Sequence, residues 1–176
     1  KVTGVQTCAL PILVVIMQAR MTSTRLPGKV TLPLAGVPML NRVIERASAT
    51  PGVDHVCITA PEGDVHEPIA DIVGQFPDVS LVRGPEGDVL RRYALAADAT
   101  DATTVIRITS DCPLIDPQVS GAVLALAQTT GSSLAQAAYY LVAGGLFRSV
   151  MAVGWERLSD SEGQTTTGIV TAFDPI

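Results

Sequence analysis

Residues 13–29 read LVVIMQARMTSTRLPGK, and the fold turns on how the two halves of that stretch are joined. Leu13 to Met17 is an unbroken apolar run, too short for a helix, which reads as a strand buried on both faces. Gln18 to Thr31 is a polar, basic loop. Leu40, Val43, Ile44 and Ala47 then recur at the spacing of one helix face. The same alternation repeats downstream. Val53 to Thr59 predicts a second strand, and Pro68 opens a helix with Ile69, Ile72, Val73 and Phe76 on one face. Ser80 to Arg83 predicts a third strand, and Asp88 stands where it can cap a helix whose buried face is Leu90, Tyr93, Ala94 and Ala97. Thr104 to Thr109 predicts a fourth strand, and Asp116-Pro117 marks the start of a helix through about Gln128. Apolar strands separated by amphipathic helices specify an α/β fold with a mostly parallel sheet covered by helices. Beyond Gly131 the pattern weakens: Ser132 to Val142 fits strand or helix, and Trp155 to Glu162 suggests a further helix. Neither an internal repeat nor a linker is visible.

The 176 residues are 47% hydrophobic and 16% charged, the balance of one domain with a substantial core. Twelve Lys and Arg against 17 Asp and Glu give a formal net charge of −5, which argues against a sequence-independent grip on nucleic acid. Three cysteines without paired spacing make neither a disulfide framework nor a zinc site, so a reducing, cytoplasmic setting is expected. Lys1 and the apolar run Ala9 to Met17 have the outline of a secretory signal, but Val2 to Ile12, VTGVQTCALPI, reads instead as the translation of a sequencing adapter joined to a gene fragment. Residues 1–12 are therefore expected to be non-native, Cys8 included, and 13–176 to form one domain. No other segment approaches the roughly 18 consecutive apolar residues of a membrane helix, so no membrane partner is expected.

The loop Gln18 to Lys29 gathers Arg20, Arg25 and Lys29 around hydroxyls and a Pro27-Gly28 turn. Backbone N–H groups of a glycine turn approach phosphate oxygens closely, Arg offers forked donors and Lys a mobile charge. A Walker A loop is disfavoured, because Ser23 stands where that motif has its first Gly and Val30 follows Lys29 in place of Ser or Thr. Taken alone, three cations in one loop are as consistent with a solvated basic turn as with a phosphate site.

Three ordered blocks tip that balance. QARMTSTRLPGKV, followed by Leu34 to Leu40 and Val43-Ile44-Glu45-Arg46, resembles the opening of the cytidylyltransferases that activate sugar acids, in particular the spore-coat polysaccharide biosynthesis type related to acylneuraminate cytidylyltransferases. Arg83-Gly84 with Asp88 to Tyr93, and Arg107 to Pro117, are similar to later blocks of the same family. The likeness runs from about Leu13 to about Gln128. It implies a three-layer α/β/α Rossmann-like nucleotide-diphospho-sugar transferase fold, with CTP, a sugar acid and Mg²⁺ as partners and a homodimer as the usual assembly. The loop after strand one and the segment after strand four both lie past strand carboxyl ends, where ligands of open parallel sheets bind.

By this resemblance Arg20, Lys29 and Asp111 are the catalytic residues. Arg20 and Lys29 neutralise the triphosphate and Asp111 holds the metal, since one or two carboxylates suffice for Mg²⁺. Ala19, Ser23, Arg25, Gly28, Arg107 and Ser110 are the implied nucleotide contacts. By spacing alone Asp111 reads more readily as a turn or capping residue, and Arg107, with an apolar neighbour on each side, equally as a structural strand residue. Asp116 reads as an N-cap, and Asp88 as a cap or a nucleotide contact. Cys57 and Cys112 read as small buried residues, and His55 and His66 as residues of solvated turns.

The later part of the chain departs from the family. Gly145-Leu146 is followed by Phe147 where the family has an Asp that completes the metal site, and an Arg-Glu-His-Val-Thr block is present only as Thr167 to Thr171. Related chains continue beyond Ile176, so the domain is expected to be cut short and divergent after about 131. Three readings follow: a cytidylyltransferase, a non-catalytic nucleotide-binding relic, or a glycosyltransferase-like domain, for which the expected Asp-x-Asp motif is missing. Removing Lys1 to Pro11 is expected to move the melting temperature by less than about 2–4 °C, the shift that ~1 kcal/mol produces in a domain of this size. A larger loss in calorimetry would show the segment to be native structure.

Overall fold

The computed structural model describes residues 12–130 and the backbone of 155–156. At its centre is a five-stranded sheet in the order β5-β4-β1-β6-β7, with β1 Leu13–Gln18, β4 His55–Pro61, β5 Val79–Gly84, β6 Thr104–Thr109 and β7 Trp155–Glu156. The first four strands are mutually parallel, and only β7 runs antiparallel, on the far side of β6. β2 (Pro33–Leu34) and β3 (Val37–Pro38) form a separate small hairpin.

The side chains of β1 explain the layering. Leu13, Val15 and Met17 face a core completed by Leu40, Val43, Ile44 and Ala47 of α1 (Met39–Ser48), Ile69, Ile72 and Val73 of α2 (Glu67–Val73) and Leu124 of α4 (Pro117–Thr130). Val14 and Ile16 face the other way, onto Ala96 and Ala97 of α3 (Val89–Ala99). A strand of period two with both faces covered must be apolar at every position, and its first five residues are no more than 2% exposed. The chain therefore builds three layers.

Strand order also fixes where a ligand can enter. From β1 the chain moves outward through β4 to β5, then crosses back over the opposite face to lay β6 against the free side of β1. The carboxyl ends of β1 and β6 flank the point where the winding reverses, with Gln18 level with Thr109.

Most expected elements are present with small shifts. β4 begins at His55 rather than Val53, because Asp54 turns its carboxylate onto the Leu13 amide at 2.8 Å. Asp88 does cap α3, accepting from the Arg91 amide at 2.8 Å, and Asp116 accepts from the Gln118 and Val119 amides. Four expectations fail. The buried face of α3 is Arg92, Ala96 and Ala97, while Leu90 is 57% exposed, so the helix is rotated from its apolar stripe to bury a guanidinium. Trp155–Glu156 pairs as a strand with Val105–Ile106 and does not open a helix. His66 is wholly buried, not in a solvated turn, and His55 is half-buried against Ser80 at 2.9 Å. Cys57 is buried as expected, whereas Cys112 is half-buried with its thiol 3.0 Å from the Thr109 hydroxyl. Residues 132–142, Phe147 and 167–171 lie outside the described residues.

Gly121 of α4 sits on Pro51 so closely that an added Cβ would lie 2.8 Å from the ring Cδ. In an open helix Gly→Ala gains about 1 kcal/mol, but here overpacking against a rigid ring, worth about 1–3 kcal/mol, opposes it. Gly121→Ala is expected to lower stability in urea unfolding; a raised midpoint would mean that the α4 contact yields freely.

Candidate functional site

The loop leaving β1 is held down by its apolar residues and tightened by one glycine. Val30 is fully buried and Met21 packs on the same core, so both ends of the loop are anchored, while between them Thr22, Thr24 and Arg25 are exposed and Ser23 is buried. Gly28 has φ +68°, a left-handed conformation that strains any residue with a Cβ. Its amide donates to the Met21 carbonyl at 2.8 Å, and its own carbonyl accepts from the Thr31 amide and hydroxyl. The resulting single turn of tight helix, Lys29–Thr31, carries Lys29 back toward the sheet edge.

Across the switch point, β6 ends at Thr109 and the chain turns through Ser110 and Asp111. Arg46 of α1 donates to the Ile115 carbonyl, tying this second loop to the helix that follows the first. Between the two loops lies an open basin lined by Gln18, Ala19, Arg20, Ser23, Thr24, Arg25, Lys29, Arg92, Thr109, Ser110 and Asp111. Four of these side chains are cationic and one is a carboxylate. In a chain with a formal charge of −5, that concentration makes a local field that attracts a polyanion.

The structure gathers Ala19, Arg20, Ser23, Arg25, Lys29, Ser110 and Asp111 of the expected set into this wall. Gly28 and Arg107 are not among the lining residues. Gly28 acts through the backbone turn just described. Arg107 lies with its guanidinium carbon 5.3 Å from the centre of the Tyr93 ring, on the α3 side of the sheet, and its Nε is buried without a partner. Four lining residues were not anticipated: Gln18, Thr24, Thr109 and Arg92. Arg92 is the notable omission. It is 1% exposed and its Nη1 donates to the carbonyls of Pro85 and Glu86 at 2.6 and 2.8 Å. A charge this deep in a helix face had a sequence signal only in the break it makes in the apolar stripe of α3.

Lys29 and Asp111 form a salt bridge across the basin. The Lys29 ammonium holds the Asp111 carboxyl below its ordinary value; burial pulls the other way, and the Thr109 hydroxyl assists the lowering. With its carboxylate ionised and the hydroxyl residues Thr109 and Ser110 just before it in sequence, Asp111 is a hard oxygen donor open to water. That donor set suits Mg²⁺, which keeps several waters and takes one or two carboxylates together with phosphate oxygens. Among the described residues no cluster of three or more His, Cys, Asp or Glu forms an all-protein metal cage.

The family model for cytidylyltransferases matches residues 14–142. A 3-deoxy-manno-octulosonate cytidylyltransferase of Anaeromyxobacter dehalogenans is 34% identical over 137 residues, covering 77% of this chain and 54% of that protein. A spore coat polysaccharide biosynthesis protein of Bacillus subtilis is 34% identical over 109 residues, covering 59% and 45%. Among solved structures, a CMP:2-keto-3-deoxy-manno-octonic acid synthetase complexed with CTP superposes with a TM-score of 0.60 at 25% identity, over 69% of this chain and 49% of that one. The chain spans about half the length of the curated relatives it matches.

A folded-state pKa below the unfolded one means that Asp111 adds stability above the ordinary carboxylate range and loses it as pH falls through the depressed value. Because the two side chains are 26% and 43% exposed, the gain is small. Asp111→Asn is therefore expected to narrow, by less than about 1 kcal/mol, the stability difference between pH 6 and pH 3 in urea unfolding. A wider difference would contradict the sign.

Proposed function

The chain belongs to the cytidylyltransferase family, and on that premise we propose that it transfers CMP from CTP to a sugar acid, releasing pyrophosphate, in the synthesis of a surface or spore-coat polysaccharide. The observation that carries this reading is the basin: Arg20, Arg25, Lys29 and Arg92 face a single carboxylate at the switch point of the sheet. A triphosphate is the ligand class that such a charge balance suits. The relatives described above, one of them complexed with CTP, support the choice of nucleotide and acceptor.

In the reaction the anomeric hydroxyl of the sugar attacks the α-phosphorus. The new P–O bond forms as the bond to the bridging α–β oxygen breaks, the hydroxyl proton passes to solvent, and pyrophosphate departs. Charge grows on phosphate oxygens along this path, so fixed cations do most of the work. Arg20 and Lys29 take the triphosphate, with Arg25 beside them and the Ser23 and Ser110 hydroxyls as polar contacts. Lys29 serves a second purpose: when its ammonium moves to phosphate, Asp111 is released from the salt bridge and becomes free to hold a cation. Mg²⁺, when bound at Asp111, supplies further neutralisation of the phosphates. Residues 13–176 are taken as one domain. The cytoplasm suits the reading, since Cys57 and Cys112 are both free thiols, and among the described residues no helix is long and apolar enough to cross a membrane.

The test separates Lys29 from Asp111. Lys29→Ala is expected to weaken CTP binding about ten- to a hundredfold with or without Mg²⁺, the worth of a charge-assisted contact. Asp111→Ala is expected to abolish the Mg²⁺-dependent part of binding and pyrophosphate release while leaving metal-free affinity unchanged or raised. Calorimetry with CTP, ATP and GTP also checks selectivity, because a base pocket must pair the cytosine edge. Equal affinity for the three nucleotides reduces the reading to phosphate binding, and CTP binding without pyrophosphate release favours the relic.

A further inference from the structure

At the start of the basic loop, the backbone of Met21 is held from two sides. The Met21 N–H donates to Nδ1 of His66 at 3.2 Å, and the Met21 carbonyl accepts from the Gly28 amide. Both polar groups of this residue are thus engaged, one locally and one by a side chain 45 positions away. Its neighbours Arg20 and Ser23 line the basin. Thr22, between them, donates to the Glu86 carboxylate of the β5–α3 loop, which Arg92 grips through its backbone carbonyls.

We propose that His66 is a positioning residue for the nucleotide site: its neutral imidazole, seated on the Met21 amide, fixes the segment that presents Arg20 and Ser23 to the triphosphate. The geometry requires one tautomer. A ring that accepts at Nδ1 carries its hydrogen on Nε2, and that nitrogen is buried with no partner. A doubly protonated ring has no acceptor left, so the Met21 amide would face a second N–H. Burial holds the His66 pKa below its ordinary value. Glu86 pulls it upward, while Arg83 of β5 and Arg92 of α3 push it down, Arg83 being itself paired with Glu67 of α2 at 2.9 Å. Charging the ring in this closed site costs both solvation and the hydrogen bond. The contact is therefore intact at neutral pH and is lost on acidification.

The inference rests on the basin being a nucleotide site, and two variants with two readouts keep the claims apart. His66→Asn offers an amide oxygen as acceptor and does not titrate; His66→Leu offers none. Hydrogen exchange at the Met21 amide, measured without nucleotide, is expected to stay slow in the parent and in His66→Asn and to become fast in His66→Leu, with exchange in β1 and β4 unchanged. CTP affinity by calorimetry is expected to fall about tenfold in His66→Leu, the effect of leaving a buried donor unpaired, and to recover in His66→Asn. As pH is taken below the ordinary imidazole range, the parent should lose Met21 protection and CTP affinity relative to His66→Asn at the same pH, and this comparison carries the test if His66→Leu does not fold. Unchanged Met21 exchange in His66→Leu, or parallel pH profiles for parent and His66→Asn, overturns the proposal. If the parent binds no CTP, the functional reading fails, and Met21 exchange alone decides whether His66 holds the loop.

Discussion

The central constraint on this molecule is that β1 has strands on both sides and helices on both faces. Its amides and carbonyls are shared between β4 and β6, and its side chains alternate between two separate cores. A segment so enclosed has no freedom to slide, since a one-residue slip would exchange the sets of side chains offered to α1 and to α3. The residue after it inherits that rigidity: the Ala19 amide donates to the Thr59 carbonyl at 2.9 Å, and the basic loop starts from a fixed point. The placing of Arg20 is in this sense a property of Leu13–Gln18.

The basin sets two electrostatic demands against each other. Cations close enough together to attract a polyanion repel one another in its absence, in a partly enclosed site. The chain divides the load. Arg92 gives Nη1 to two backbone carbonyls, and Lys29 rests on Asp111. Arg20 and Arg25 stay exposed to water, where repulsion is screened. Carbonyl partners are neutral and stay in place, whereas the carboxylate partner is a hard donor that suits a cation. On the proposed reading Asp111 would connect Lys29 with the metal, and occupation of the two positions would be coupled.

The legible parts of the sequence were those where local pattern and global demand agree. β1 and β6 are apolar at nearly every inward position, α1 keeps its stripe, and Asp88 and Asp116 cap the helices that follow them. Illegible features depended on partners distant in sequence. Leu90 belongs to the apolar stripe of α3, yet the helix turns it outward because Arg92 has carbonyl partners on the 85–86 segment. His66 has nothing in its neighbourhood to suggest burial; its partner is Met21, across the fold. The β2–β3 hairpin went unnoticed because its turn uses Ala35 at φ 52° with Gly36 at 86°, and Ala-Gly lacks the Asn-Gly or Asp-Gly signal. Within the site, the family likeness led to Lys29, Asp111 and their neighbours, while Gln18 and Thr109 come into the wall through the pairing of β1 with β6, and Thr24 comes with the basic loop.

That pairing also has a temporal side. Leu13 lies beside Thr104, so the strand that completes the centre of the sheet leaves the ribosome only after β4 and β5 have followed β1. Until it arrives, β1 has only β4 beside it, and one edge of this strand, apolar and buried from Leu13 to Met17, stands open. Long-range parallel pairing is slow to form, and open apolar edges invite intermolecular pairing during synthesis. The growing chain thus passes through a stage in which one side of its future basin is an uncapped β-edge, and chaperone capture at that stage would act on the seam that later forms the basin.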